Sequence, residues 1–432
     1  MAHGGWCVAR QDSLAVFVSG TLPGELVVAE VVARRSKLWF ARTVEVVEAS
    51  PDRVEHVWPL AGRAGVGGAD LGHVALTAQR RWKAEVVVQQ LRRIAHLDWA
   101  VEVAAAPGDE ARGGLAYRTR LDLSADADGR LGMHPPRSDR VIPLDSMPLA
   151  HEDIVAVVPW SKPVAPGSRV RVLRTSGLGG AVVVRTADDP TAGEPAPLRR
   201  AARLQAADGP SGGGVALGGP VGRSAGHDGP ADSGAAQPVT EEVVRAGQRL
   251  VYRLDPGDFW QVHREAPGVL VEAVLDQAGD LAGRTVLDLY AGVGLFSVPL
   301  AAAARRLVAV EGDRSAALSA AWNLRDNPSA TAVQGDVRQL LARSGPVPAR
   351  ADVVVLDPPR AGAGRAVVEG VAARRPTAVV YVACDPAALA RDLGLFGGLG
   401  YRLDRLQAFD LFPHTHHVEC VATLSPGPPS RG

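Results

Sequence analysis

The 432-residue chain carries 47 basic and 47 acidic side chains, giving a formal net charge of zero, and 46% of its residues are hydrophobic. That length is enough for two or three cores, and the charge balance excludes a polyanion binder that works through bulk positive charge. No segment reads as a membrane span, MAHGGWCVARQD lacks the pattern of a secretory leader, and Cys7, Cys384 and Cys420 make no disulfide framework, so a cytoplasmic, monomeric protein is expected.

In the first sixty residues LAVFVSG, LVVAEVVA and LWFARTVEVVEA alternate with turns at LPGE (22–25) and SPDR (50–53), the strand-and-turn pattern of a small β-barrel over 1–60. The order FVSGTLPGELVVAEV, a basic strand, then EASPDRV resembles a TRAM domain, an oligonucleotide-binding-like barrel attached to RNA-modifying enzymes, and the likeness implies contact with RNA. From 61 to 186 a helix over LTAQRRWKAEVVVQQLRRIA precedes strand-like YRTRLDLSAD and RVRVLRTSGLGGAVVVRT, a small α+β domain. Arg80, Arg81, Lys83, Arg92 and Arg93 give that helix a basic side, which is either a solvated face or a local patch for phosphates.

Gly, Ala, Pro and Ser dominate 187–245, where large apolar residues are too few to offset the entropy of ordering, so a disordered insertion is expected there. From 246 to 432 apolar runs such as TVLDLYA, RLVAVEGD, DVVVLDPP and AVVYVACDP alternate with helical stretches. This is the signature of a doubly wound, mostly parallel α/β sheet with ligands at the carboxyl ends of its strands.

The chemistry gathers at those ends. In DLYAGVGLF, Asp288 leads a loop in which Gly292 and Gly294 let the backbone approach a ligand closely, without the three-glycine spacing of a nicotinamide site. Glu311 in VAVEGD is placed to accept hydrogen bonds from ribose hydroxyls, and Asp336 in QGD to meet an adenine amino group. Acids at three successive strand ends resemble a class I, Rossmann-like S-adenosylmethionine methyltransferase. LDPPR (356–360) puts Asp357 on a proline-stiffened loop, with Arg360 where an amino-methyltransferase would carry a base-stacking aromatic. Cys384 follows the strand VVYVA, where a thiolate could add to carbon 6 of a uracil and make carbon 5 nucleophilic. The adduct must then lose its carbon 5 proton, and Glu419 in HHVE is the candidate base. His414, His416 and His417 have no accompanying ligand cluster, so they are read as positioning the loop before Glu419 or touching phosphate, not as a metal site.

Together FWQVH, DLYAGVGLFS, LDPPRAG, VACDPAALARDL and DLFPHTHHVECV resemble the RNA 5-methyluridine methyltransferase family, over about 250–424, and the N-terminal barrel is similar to its ribosomal RNA branch. That likeness implies S-adenosylmethionine bound by Gln261, Tyr290, Glu311 and Asp336 beside the Asp288 loop. It also implies Asp357 next to the target base, Cys384 as nucleophile and Glu419 as base. The expected partner is RNA, with 23S ribosomal RNA favoured over the tRNA T-loop; a catalytically silent RNA-binding or ribosome-assembly protein is the alternative from another class. Three departures stand out. The iron–sulfur ligand positions of the ribosomal branch hold Trp58, Val66, Ala69 and Met147, so no cluster is expected. The usual Asn after the nucleophile is Asp385, whose charge would raise the thiol pKa unless a cation such as Arg391 offsets it. His263 stands where the family has Asn.

Overall fold

The computed structural model describes residues 1–11, 14–36, 38–62, 65–135, 138–177, 180–186, 237–343 and 345–427. Strands β1 (Cys7–Gln11), β2 (Leu14–Ser19), β3 (Leu26–Arg35) and β4 (Leu38–Glu48) form an N-terminal sheet ordered β1-β2-β4-β3. The two turns read from the sequence meet in space. Glu25 of the first accepts from Arg53 of the second through both oxygens, at 2.5 and 2.6 Å, and from the backbone N–H of Leu22 and Ser50. Burial alone would raise the Glu25 carboxyl, but these donors outweigh it and hold it down to about 2.

A central sheet, β10-β9-β6-β7-β8, is built from β6 (Arg120–Ala125), β7 (Leu131–Met133), β8 (Ile142–Pro143), β9 (Arg169–Thr175) and β10 (Gly180–Thr186). The Gly/Pro-rich stretch expected to be disordered over 187–245 falls outside the described residues as far as 236. Its last residues are not disordered: β11 (Val239–Arg245) pairs with β12 (Gln248–Leu254) across a two-residue turn, Ala246-Gly247, in which both φ angles are positive. The reason is the period-2 burial of Val239, Glu241 and Val243, which composition alone does not register.

The catalytic-type sheet has eight strands, β15-β14-β13-β16-β17-β19-β18-β5. They are β5 (Val103–Ala105), β13 (Thr285–Leu289), β14 (Arg306–Glu311), β15 (Ala330–Gln334), β16 (Val353–Leu356), β17 (Ala378–Ala383), β18 (Tyr401–Asp410) and β19 (Glu419–Pro426). β13 to β17 run parallel and β19 returns antiparallel. The chain winds outward from β13 to β15, then crosses back to β16, so the switch point where ligands bind lies between β13 and β16. Domain boundaries are less sharp than composition suggests. β5 joins this sheet, and the helix Leu76–Gln90 packs against the helix Pro386–Gly398, although both lie in the segment read as a separate central domain. Among the described residues no helix is long and apolar enough to cross a membrane.

Candidate active site

Strand register decides which acids face the switch point. β13 and β16 are neighbours, Leu289 opposite Leu356, so the residues just past each strand lie side by side, and Asp357 N–H donates to the Leu289 carbonyl at 3.2 Å. Asp288, fully buried, accepts from the Ser297 hydroxyl at 2.5 Å through one oxygen; the other has no partner among the described residues. Burial, with Glu311 adding to it against the Ser297 bond, pushes the Asp288 carboxyl up to about 7. Tyr290 begins the loop at φ 62, and Gly292 and Gly294 follow at φ 55 and 93. A side chain at Gly292 would meet no atom, so its glycine leaves open space over the loop. Glu311 tethers this loop to the next strand end: its oxygens accept from Gly292 N–H and Asp313 N–H, both at 2.7 Å. Asp336 caps the helix Val337–Ala342 through Gln339 N–H and is otherwise exposed. Gln261 lies half-buried in the loop after β12. An orphaned buried carboxyl oxygen, an open glycine turn and acids at consecutive strand ends fit the hydroxyl-rich, cationic S-adenosylmethionine that the sequence implies.

The second half of the site is at the next strands. Ala383 pairs with Cys420 across β17 and β19, which brings the preceding residue, Glu419, level with Cys384. Cys420, on the opposite face, is buried in the core, as strand alternation requires. Burial pushes the Cys384 thiol up to about 12, reinforced by Glu419, Asp357 and Asp385 and opposed by Arg360. Glu419, almost wholly buried, is pushed well above the carboxylate range by burial and by Asp357, again against Arg360. Asp357 is pushed up to about 7 by burial and by Asp288 and Glu311. Arg360 thus opposes the upward push on both the Cys384 thiol and the Glu419 carboxyl, and the cluster holds protons and can move them.

The sequence did not single out the groups that hold these loops together. Asp392, on the helix that begins just after Cys384, accepts from Tyr381 hydroxyl at 2.6 Å and Ala363 N–H at 2.7 Å. It thereby clamps the LDPPR loop to the segment bearing Cys384. Gly362 sits against that clamp at φ 77, where a Cβ would lie 2.6 Å from the Asp392 carboxylate. Four of the five cations on the basic helix face answer acids of the protein itself. Lys83 is 2% exposed and donates to the buried Asp410 at 2.5 Å and to the Phe412 carbonyl, while Arg80, Arg81 and Arg92 pair with Glu110, Asp52 and Asp98. Helical periodicity marks Lys83 as surface; the end of β18, distant in sequence, covers it.

The three histidines go to three different places. His414 is buried, with Gln79 and the Gly113 carbonyl on its ring; His416 pairs with Asp70 at 2.8 Å; His417 lies 3.3 Å from Arg360. Burial pushes His417 down to about 3, helped by His416 and Arg360. Among the described residues no group of three ligand-type side chains could hold a metal. His263 is buried, stacked on Tyr117 and 3.0 Å from Asp109. Arg391 does not offset Asp385: it pairs with Asp392 and the Ala361 carbonyl, and the side chain beside Asp385 is His3, 3.1 Å away. Trp58, Val66, Ala69 and Met147 share one buried apolar cluster with Tyr117 and Leu149. A cluster of iron and sulfide has no thiolate to bind there and does not fit these residues.

Comparison with known proteins bears on the whole chain. The family described as tRNA (Uracil-5-)-methyltransferase matches residues 223–334 and 349–426. An uncharacterized RNA methyltransferase of Bifidobacterium longum is 38% identical over 98% of this chain and 94% of its own length. The 23S rRNA (uracil(1939)-C(5))-methyltransferase RlmD of Pseudomonas putida is 34% identical over 99% of this chain and 92% of its own. In fold, the chain is similar to the Pyrococcus abyssi tRNA (uracil-54, C5)-methyltransferase solved with S-adenosyl-L-homocysteine, with a TM-score of 0.66, 22% identity, and 97% and 99% of the two chains covered.

Proposed function

The chain belongs to the RNA uracil-5-methyltransferase family, and from that premise we propose that this S-adenosylmethionine-dependent enzyme methylates carbon 5 of a uridine in 23S ribosomal RNA, acting as a cytoplasmic monomer. The observation that carries the chemistry is the β17–β19 register, which sets Glu419 beside Cys384 next to the switch point. The 23S assignment is supported by the RlmD relative, which is similar over the N-terminal module as well as the catalytic domain.

S-adenosylmethionine, when bound, supplies an electrophilic methyl group, and Asp288, Tyr290, Gly292, Gly294, Glu311, Asp336 and Gln261 are the residues that would hold it. Cys384 as thiolate adds to carbon 6 of the uracil and pushes the ring electrons toward carbon 5, so one difficult substitution becomes two easier steps. Asp357 holds the uracil edge from the LDPPR loop, and Arg360 stabilises charge on the thiolate and carboxylates. Once carbon 5 is methylated, the Glu419 carboxylate takes its proton; the C–H electrons restore the ring double bond and expel Cys384. The target uridine has to leave its stack to reach a half-buried thiol, which favours a loop or bulge.

Deleting the gene and mapping 5-methyluridine in both RNA pools tests the reading. Loss at one or more 23S positions is expected. Loss confined to the tRNA T-loop would overturn the ribosomal assignment, and loss in neither pool would favour the silent RNA-binding alternative.

A further inference from the structure

We propose that His3 is a positioning residue for the nucleophile: reaching from the N-terminal segment, it holds and neutralises Asp385, the carboxylate that directly follows Cys384. His3 Nε2 lies 3.1 Å from Asp385 Oδ2, while Asp385 Oδ1 accepts from Ala388 N–H at 2.8 Å and caps the helix that begins after the nucleophile. One oxygen fixes the helix and the other is held by a residue more than 380 positions away in sequence. The inference rests on the reading of Cys384 as the nucleophile.

The segment that carries His3 is built to stay there. Ala2 bridges back to Trp6, with Ala2 N–H on the Trp6 carbonyl at 2.7 Å, and Trp6 packs edge-on against Phe40 of β4 at 5.3 Å. Between them Gly5, at φ 77, lies so close to the Asp70–His416 pair that a Cβ would stand 2.7 Å from Asp70 Oδ2 and 3.3 Å from His416 Cβ. His3 and His416 approach edge-on at 6.4 Å. The N-terminal segment therefore touches both loops that bear the reacting groups, the one after β17 and the one before β19.

Electrostatics say why a cation is useful at this point. Cys384 faces Glu419 from β19, Asp357 and Arg360 from the LDPPR loop, and Asp385 beside it. His417 lies against Arg360, His416 is engaged by Asp70, and Arg391 is engaged by Asp392. Among the described residues that leaves His3 as the side chain whose proton can offset Asp385. The Asp385 hydrogen bond raises the His3 pKa against the effect of burial; on Asp385 burial raises, but the His3 bond and the helix N–H groups hold the carboxyl below its usual value. A paired Asp385 opposes thiolate formation less than a bare one would, so the family's neutral side chain is replaced by a neutralised pair.

The test is the single-turnover rate of methyl transfer to a 23S fragment as a function of pH, for the wild type, His3→Ala, His3→Arg, Asp385→Asn, the His3→Ala/Asp385→Asn double variant and Cys384→Ala. His3→Ala is expected to slow transfer about tenfold near neutral pH, by moving the rising limb about one unit upward, with S-adenosylmethionine affinity unchanged. His3→Arg is expected to keep the rate, and the double variant to match Asp385→Asn. An unaffected His3→Ala, a loss without a shifted profile, or a loss that persists beside Asp385→Asn would each overturn the proposal. Turnover by Cys384→Ala would instead overturn the nucleophile assignment, and this inference with it.

Discussion

Asp288 provides a stability measurement that tests the site without any ligand. The residue is fully buried and its carboxyl is pushed up to about 7, against about 3.9 for an unfolded aspartate. A folded pKa above the unfolded one means that the folded state binds the proton more tightly. The stabilisation is complete below about pH 4 and is lost as pH rises through about 7. A difference of about three units at about 1.4 kcal/mol per unit corresponds to roughly 4 kcal/mol over that interval, with a slope of at most about 1.4 kcal/mol per pH unit. Asp288→Asn keeps the shape and the Ser297 hydrogen bond but cannot ionise. Its absolute stability will shift by a pH-independent amount, so the comparison lies in the curve shapes. Urea unfolding of wild type and variant in steps from about pH 4.5 to about pH 8 should give a wild-type curve that falls and a variant curve that is flatter. Asp357, raised in part by the charge on Asp288, would titrate lower in the variant and flatten it further. Parallel curves would refute the reasoning, because the buried carboxyl would then have the same proton affinity folded and unfolded.

Other outcomes follow from the same geometry. Cys384→Ala should abolish methyl transfer, whereas Glu419→Gln should methylate once and stall as a covalent protein–RNA adduct that survives a denaturing gel; normal turnover by either variant would remove that residue's role. Lys83→Met leaves Asp410 buried and unpaired, at a cost of about 3–5 kcal/mol, while Lys83→Met/Asp410→Leu should recover most of the urea midpoint; equal midpoints for wild type and the single variant would show the pair to be inconsequential. Trp58→Ala should cost about 3–5 kcal/mol by opening a cavity in the apolar cluster. Protein purified without oxygen should carry no stoichiometric iron, and iron at one cluster per chain would overturn the packing account.

The parts of this molecule that were legible in sequence are those whose signal is local. Continuous apolar runs such as DVVVLD and AVVYVA gave the buried parallel strands, and the residues after them gave the acids at the switch point, because position along a strand fixes where its end lies. Cys384 and Glu419 could be singled out separately, but that they are level depends on the register Ala383–Cys420, which no spacing in the chain encodes. Composition misjudged 239–245, since a strand of Val, Thr and Glu alternates in burial without being rich in large apolar residues. The same limit hid Asp392 and Tyr381: each is an ordinary helix or strand residue until the LDPPR loop is laid across them.

Charge is where sequence and structure diverge most, and the divergence has one cause. Equal numbers of acids and bases suggested a neutral protein whose RNA contacts would need basic patches, and a run of cations on one helix looked like such a patch. In the fold those cations answer acids from other segments: Lys83 to Asp410, Arg81 to Asp52, Arg80 to Glu110. His263–Asp109, His416–Asp70 and His3–Asp385 do the same between the early part of the chain and the catalytic domain. Exposed pairs of this kind contribute little stability, but buried ones specify geometry, because a misplaced partner strands a charge without water. Two of the pairs, Lys83–Asp410 and Asp70–His416, hold the segment from Asp410 to Glu419, which carries the candidate base toward the thiol. Balanced charge in this chain is therefore largely a property of its internal contacts, while Arg34 and Arg35 on β3 stay exposed, one over Trp39 and the other near Phe40.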